Sequence, residues 1–218
     1  MTSTIESIEW HQIKVISFDL DDTLWDNSGV IEKCLAESYQ YLCQREPLIK
    51  KHFTIDSMER ITEQLIELEQ PEYENMTVLR KAVIKQVLQE VNGDISLVNP
   101  AFAIFYHWRN QIVIPETTHR VLEYLARKYT LVATSNGNSN LKKVGLSDYF
   151  DRHLIAGIHG RAKPSAEMLS NLLEHYQIDG GQLVHIGDSI LTDVMSAKAA
   201  GVQSLEMSIK EVPQLLEI

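Results

Sequence analysis

Residues 13–26, IKVISFDLDDTLWD, decide how the rest of the chain is read. Ile13 to Phe18 make a short, β-branched apolar run that ends in acids, the profile of a buried parallel strand whose functional end is its C-terminus. Asp19, Asp21 and Asp22 then crowd the edge of the folded core, where like charges repel one another. Such a cluster needs a neutralising partner.

Downstream of Gly29 the strand signal disappears until about Asn110. VIEKCLAESYQYLC reads as helix, followed by Met58, Ile61, Leu65 and Leu68 on one helical face, then Val83, Ile84, Val87, Leu88 and Val91 on another. After Pro115 the pattern alternates. Val121, Leu122, Leu125 and Ala126 form a helix stripe; TLVAT, LIAG, LVHIG and VQSLEM read as strands; AEMLSNLLEHY and TDVMSAKAAG read as helices, the second closed by Gly201. Alternation of this kind implies an α/β fold with a parallel sheet. The first strand belongs to that sheet, so the expected organisation is an α/β core of residues 1–24 and 112–218 interrupted by a helical insert, residues 25–111.

In parallel α/β sheets, ligands bind beyond the carboxyl ends of the strands. The polar clusters fall there: Asp19, Asp21, Asp22 and Thr23 after the first strand, Ser135-Asn136-Gly137 after TLVAT, and Gly187-Asp188 after LVHI, with Asp193 five residues on. Lys163 stands in the loop before the PSAEML helix. Several carboxylates in one crevice raise each other's pKa unless a cation sits among them, and an oxygen-only donor set favours Mg²⁺. Phosphoryl transfer through an aspartyl-phosphate suits this set. Asp19 is the expected nucleophile and Asp21 the acid and base, with Ser135, Asn136 and Lys163 binding the phosphoryl group. Asp19, Asp21 and Asp188 are the expected Mg²⁺ ligands; Asp193 supports them or holds Lys163. Asp22 reads as a structural acid bonding local amides, and His185, inside an apolar strand, as a satisfied core histidine.

The bulk properties of the 218 residues agree with an enzyme acting on small molecules. Thirty Asp and Glu against 20 Lys and Arg give a net charge of −10, which repels nucleic-acid backbones and anionic membranes. MTSTIESIEW lacks the basic and apolar regions of a signal peptide, so a cytoplasmic location is expected, with no membrane partner. Cys34 and Cys43 lie on one expected helix, where ~1.5 Å per residue separates them by ~13 Å, beyond disulfide reach.

The motifs DLDDT, SNG, KP and GDSILTD, in this order, resemble those of the haloacid dehalogenase-like hydrolase superfamily. The resemblance implies a Rossmann-like core, a flap just after Asp21, a helical cap of the type inserted behind the first motif, and Mg²⁺-dependent phosphatase activity. Thr23, within the first motif, is placed among the supporting residues. HWRNQIVIPETTH, SNGNSN, GLSDYFD, AGIHGRAKP and HIGDSILTDV together are similar to the bacterial flavin-pathway phosphatases. That similarity implies a small phosphorylated metabolite such as FMN or 5-amino-6-(5-phospho-D-ribitylamino)uracil as substrate, and a monomer or dimer. A dehalogenase on this scaffold would not require Asp21, because halide leaves without a proton. A phosphomutase would use the same acids, and a catalytically idle phosphate-binding module would use the same Asp, Lys and Mg²⁺; product analysis and Asp21→Asn separate these readings.

Overall fold

The computed structural model describes residues 4–218. The chain divides into two compact units, Met1–Asn27 with Val113–Ile218, and Ser28–Ile112. The first break falls three residues later than the sequence reading placed it. Trp25 is the reason: it is fully buried, its carbonyl accepts from Asp22 N at 2.8 Å, and it is bridged to Asp21.

The first unit is a five-stranded parallel sheet made of β1 (Val15–Phe18), β2 (Thr130–Ser135), β3 (Arg152–Ile155), β4 (Leu183–Gly187) and β5 (Gln203–Glu206), in the spatial order β3-β2-β1-β4-β5. The order reverses beside β1, so the loops after β1 and β4 diverge around a crevice, the usual ligand position in such sheets. Helices α6 (Glu116–Ala126), α7 (Glu167–Tyr176) and α8 (Met195–Ala200) belong to this unit. Val15, Val132 and Leu183 share one sheet face with Met168, Leu169 and Leu172 of α7 and Ala197 of α8. Each fully buried aliphatic side chain of this kind contributes ~1.5–3 kcal/mol.

Side chains alternate across a strand, so the next residues on that same face are Ser17, Thr134 and His185. All three are completely buried. The central strands therefore turn from apolar to polar one or two residues before their C-terminal ends, on a single face. That change aims a polar floor at the crevice.

Two elements differ from the sequence reading. The edge strand β3 covers Arg152–Ile155 rather than LIAG, because at the sheet edge the strand can begin with the exposed Arg152. The expected helix over TDVMSAKAAG is instead a π-helical turn, Ile190–Val194, followed by the short α8. Ser189 starts the turn: its Oγ accepts from Thr192 N at 3.3 Å and its carbonyl from Asp193 N at 2.8 Å. The wide turn carries Asp193 against Gly187, where an added Cβ would lie 2.2 Å from Asp193 Cγ. Only glycine fits at 187.

The second unit contains α1 (Val30–Arg45), α2 (Pro47–His52), α3 (Ile55–Glu67), α4 (Met76–Glu90) and α5 (Val98–Arg109). Its helix starts are chemically marked. Thr54 and Ser57 form a reciprocal capping box on α3, Asn75 Oδ1 accepts from Thr77 N at 2.9 Å ahead of α4, and Pro47 opens α2. Leu42, Ile61, Val87, Leu88 and Phe105 lie in one apolar core. Both cysteines are free thiols, and burial pushes Cys34 up to about 11, which leaves it inert at neutral pH.

Candidate active site

Asp19 leaves the end of β1 with its N–H donating to Ile186 O of β4 at 2.8 Å, which ties the two diverging loops together. Asp22 then takes a left-handed conformation, φ 61°, and its Oδ1 accepts from Asn27 N at 2.9 Å. Asp22 thus closes the turn, as a structural acid should. The turn brings the indole of Trp25 back onto Asp21, with Nε1 donating to Oδ1 at 2.9 Å.

Lys163 is the centre of the site. Its side chain is 1% exposed, and its Nζ donates to Asp19 Oδ1 at 2.6 Å, Asp193 Oδ1 at 2.6 Å and Thr134 O at 2.8 Å. These three bonds use every donor of the ammonium. Burial alone would lower the Lys163 pKa, but the two carboxylates raise it, so it stays charged. Lys163 precedes a cis peptide to Pro164, and α7 begins at Glu167, so the lysine stands in a turn and not directly at a helix start. Asn136 fixes that turn: Lys163 N donates to Asn136 Oδ1 and Asn136 Nδ2 donates to Lys163 O, both at 2.8 Å. The Asn136 side chain is therefore committed to the lysine backbone. Ser135, buried at the end of β2, accepts from Gly137 N at 2.9 Å.

Beneath Lys163 the polar floor forms a continuous chain of hydrogen bonds. Thr134 Oγ1 lies 2.7 Å from Ser17 Oγ, Ser17 Oγ 3.0 Å from His185 Nδ1, and His185 Nε2 3.0 Å from Asp193 Oδ1. Burial depresses the His185 pKa and keeps the ring neutral. A carboxylate only accepts, so the single ring proton sits on Nε2 and Nδ1 accepts from Ser17. Burial would also raise Asp193, but the bonds from His185 and Lys163 pull it below the usual carboxylate range. Asp193 Oδ2 further accepts from Ser189 N at 3.1 Å. The core histidine is thus a working part of the lysine's support, a connection that only the fold reveals.

Asp19 has the opposite electrostatics. Burial pushes it up to about 7, with Lys163 opposing and Asp193 and Asp21 adding to the rise. Burial and the neighbouring Asp193 also raise Asp188, whose Oδ1 accepts from Thr23 Oγ1 at 3.3 Å. Carboxylate oxygens of Asp19, Asp188 and Asp193 lie within 4.8 Å of one another. This cluster takes Asp193 where the sequence reading had Asp21, because the Asp21 carboxylate is turned toward Trp25. An all-oxygen set with two carboxyls forced upward fits a hard divalent cation, which would relieve both shifts.

A crevice at the switch point of a parallel sheet, floored by a buried lysine between aspartates, defines a class of hydrolase. Residues 13–201 match the model of the haloacid dehalogenase-like hydrolases, and the chain belongs to that family. It is 34% identical over 197 residues to the 5-amino-6-(5-phospho-D-ribitylamino)uracil phosphatase YigB of Escherichia coli, a match spanning 88% of this chain and 82% of that one. The glyceraldehyde 3-phosphate phosphatase of Pyrococcus furiosus is 22% identical, over 95% of this chain and 93% of that one. Among solved structures, the 2-haloacid dehalogenase of Pseudomonas syringae pv. Tomato DC3000 superimposes with a TM-score of 0.84 at 28% identity, covering 94% of this chain and 98% of that one. The chain is an enzyme of the family's phosphatase type. No helix among the described residues is long and apolar enough to cross a membrane.

Proposed function

We propose that the chain is a Mg²⁺-dependent phosphomonoester hydrolase working through a phosphorylated Asp19. The observation that carries this reading is Lys163 Nζ held 2.6 Å from both Asp19 and Asp193 at the carboxyl ends of the strands. Asp19 and Asp188 would hold the cation, since Asp193 is already engaged by Lys163 and His185. When bound, Mg²⁺ would offset the carboxylate charge and draw electron density from the phosphoryl oxygens.

The remaining work falls to the chain's own groups. Asp19 attacks phosphorus as the carboxylate, forming an acyl phosphate as the P–O bond to the substrate breaks. Asp19 loses its negative charge in that step, so the Lys163 donor directed at it becomes available to a phosphoryl oxygen. Ser135 Oγ–H and the main-chain amide of Asn136 add donors to the phosphoryl group; the Asn136 side chain serves by holding Lys163. Asp21 gives its proton to the departing alkoxide and later takes one from the water that hydrolyses the acyl phosphate. An enzyme that attacked carbon and released halide would have no use for that proton, which is why Asp21 favours phosphate over a haloacid. Asp193, Thr23 and the polar floor keep these groups in place, and the helical unit Ser28–Ile112 serves as the cap that selects the substrate.

For the substrate, the similarity to the flavin-pathway phosphatases and the relative named above support FMN or 5-amino-6-(5-phospho-D-ribitylamino)uracil, hydrolysed in the cytoplasm. Phosphate release should be measured over these two esters, sugar phosphates and nucleotides, with and without Mg²⁺, with product analysis on the sugar phosphates. The expected result is Mg²⁺-dependent release with preference for a flavin-pathway ester. Turnover without that preference overturns the substrate, isomerised sugar phosphate marks a mutase, and no turnover on any ester contradicts the reading.

A further inference from the structure

Trp25 is an apolar side chain with one polar atom, and that atom is spent on Asp21. The indole is completely buried, and Nε1–H donates to Asp21 Oδ1 at 2.9 Å. The backbone around it is fastened at several points: Leu24 N donates to Leu20 O at 2.8 Å, Asp22 N to Trp25 O at 2.8 Å, and Thr118 Oγ1 of α6 to Leu24 O at 2.8 Å. Asn27 N donates to Asp22 Oδ1 on the far side of the turn. The indole therefore meets Asp21 from a fixed platform, four residues further along the same turn.

An indole N–H can only donate. Its partner must be an oxygen that offers a lone pair, and in a neutral carboxyl group the carbonyl-type oxygen is the stronger acceptor. The bond to Oδ1 thus has two consequences for Asp21. It stops rotation of the carboxyl plane, and it leaves the proton of the acid form on Oδ2. A buried indole N–H must find an acceptor in any case; here the acceptor is the side chain given the acid role, and nothing else in the mechanism requires a donor at position 25.

We propose that Trp25 is a positioning residue for proton transfer by Asp21: its indole N–H pins Oδ1 so that Oδ2 presents the proton to the leaving oxygen of the ester. The proposal rests on the acid role given to Asp21 above. In the first step the ester P–O bond breaks, its electron pair stays on the leaving oxygen, and the Oδ2 proton moves to that oxygen as the alcohol departs. The ionised carboxylate left behind still accepts from the indole, so the same orientation serves when Asp21 later takes a proton from water.

The test compares two leaving groups. An alkoxide needs the proton, whereas p-nitrophenolate leaves without it. The readout is kcat/KM, which reports the steps up to formation of the phosphoryl-enzyme and not its later hydrolysis. Trp25→Phe should lower kcat/KM for the most active alkyl ester by about tenfold, a part of the ~10²–10⁴-fold that general acid–base catalysis supplies. Turnover of p-nitrophenyl phosphate should fall less than about threefold, because its leaving group departs without a proton. Trp25→His, whose Nε2–H can occupy the place of the indole N–H on the shared five-membered ring, should recover part of the alkyl-ester rate. If Trp25→Phe does not fold, replacement of Trp25 by 3-benzothienylalanine keeps the bicyclic shape and removes only the donor. Equal losses on both esters, or no loss on either, overturn the proposal. Asp21→Asn in the same assay keeps the two claims apart: if it spares the alkyl ester, the acid role of Asp21 fails; if it abolishes that turnover while the Trp25 variants show no selectivity, only the role of Trp25 fails.

Discussion

The two units of this chain bury charge in different ways. In the α/β unit, Lys163 is saturated by two carboxylates and a carbonyl, and each of its neighbours is held in turn by another buried group. In the helical unit, Arg80 also lies in a largely apolar core, paired with Glu59 at 2.5 Å and stacked 5.5 Å from the Phe105 ring, but its Nε has no hydrogen-bond partner. One cation belongs to a closed network; the other is left partly unsatisfied, and its partner reaches solvent. Buried ion pairs are poor devices for stability alone, so a complete network needs another justification. At Lys163 the proposed reaction supplies it.

The comparison can be broken at several points. The largest effect belongs to Asp19→Asn, which removes the proposed nucleophile and should reduce kcat by about 10³-fold or more with the fold retained, checked by phosphate release beside a circular-dichroism melt. Lys163→Met should abolish turnover and also destabilise the protein by about 3–5 kcal/mol, because it strands Asp19 and Asp193 without their counter-charge. Urea unfolding measures this, and Asp19→Asn in the same background should recover part of the loss.

A third effect lies at the edge of the sheet. His153 is largely buried, its Nε2 lacks a partner, and burial lowers its pKa from 6.5 to about 4. The folded protein binds this proton less readily than the unfolded chain, so the stabilisation is complete above pH 6.5 and is lost as pH falls through 4. The full loss is on the order of 3 kcal/mol. His153→Leu should flatten the acid limb of a stability–pH curve between those values; an unchanged slope would contradict the assignment. The smallest effect is expected of Arg80→Met. Methionine fills the same linear space without an unsatisfied donor, and Glu59 can turn to water, so stability should change by no more than about 1 kcal/mol. A loss comparable to that of Lys163→Met would erase the distinction between the two units.

Much of the α/β unit was legible because parallel strands announce themselves as apolar runs and their functional ends as abrupt polarity. Asp19, Ser135, Lys163 and Asp188 stand where such a run ends or in the loop beyond it, and Asp193 in the helical turn that follows. What the sequence could not disclose depends on partners far along the chain. Asn136 looks like a phosphate donor until its side chain is found clamping Lys163, 27 residues away. His185 looks like an ordinary core residue until Ser17 and Asp193 are brought to its two nitrogens. The π-helical turn after Ser189 arises because Asp193 is drawn against Gly187 and toward Lys163, a tertiary pull that outweighs the helical pattern of TDVMSAKAAG. Trp25 carried a weak signal: an aromatic four residues after an acid, in a tight turn, is close enough to reach back to it. In the helical unit the apolar stripes revealed the helices, while nothing in them distinguished a residue that selects substrate from one that packs.

The central claim is that Asp19 becomes phosphorylated during turnover. The most direct measurement is an acid quench of the enzyme turning over p-nitrophenyl phosphate with Mg²⁺, followed by borohydride reduction and peptide mapping. Reduction of an acyl phosphate converts its aspartate to homoserine, and the account predicts that conversion at position 19 in the wild-type chain and its absence in Asp19→Asn. Sustained phosphate release with residue 19 unmodified, or with the label at another residue, would contradict it.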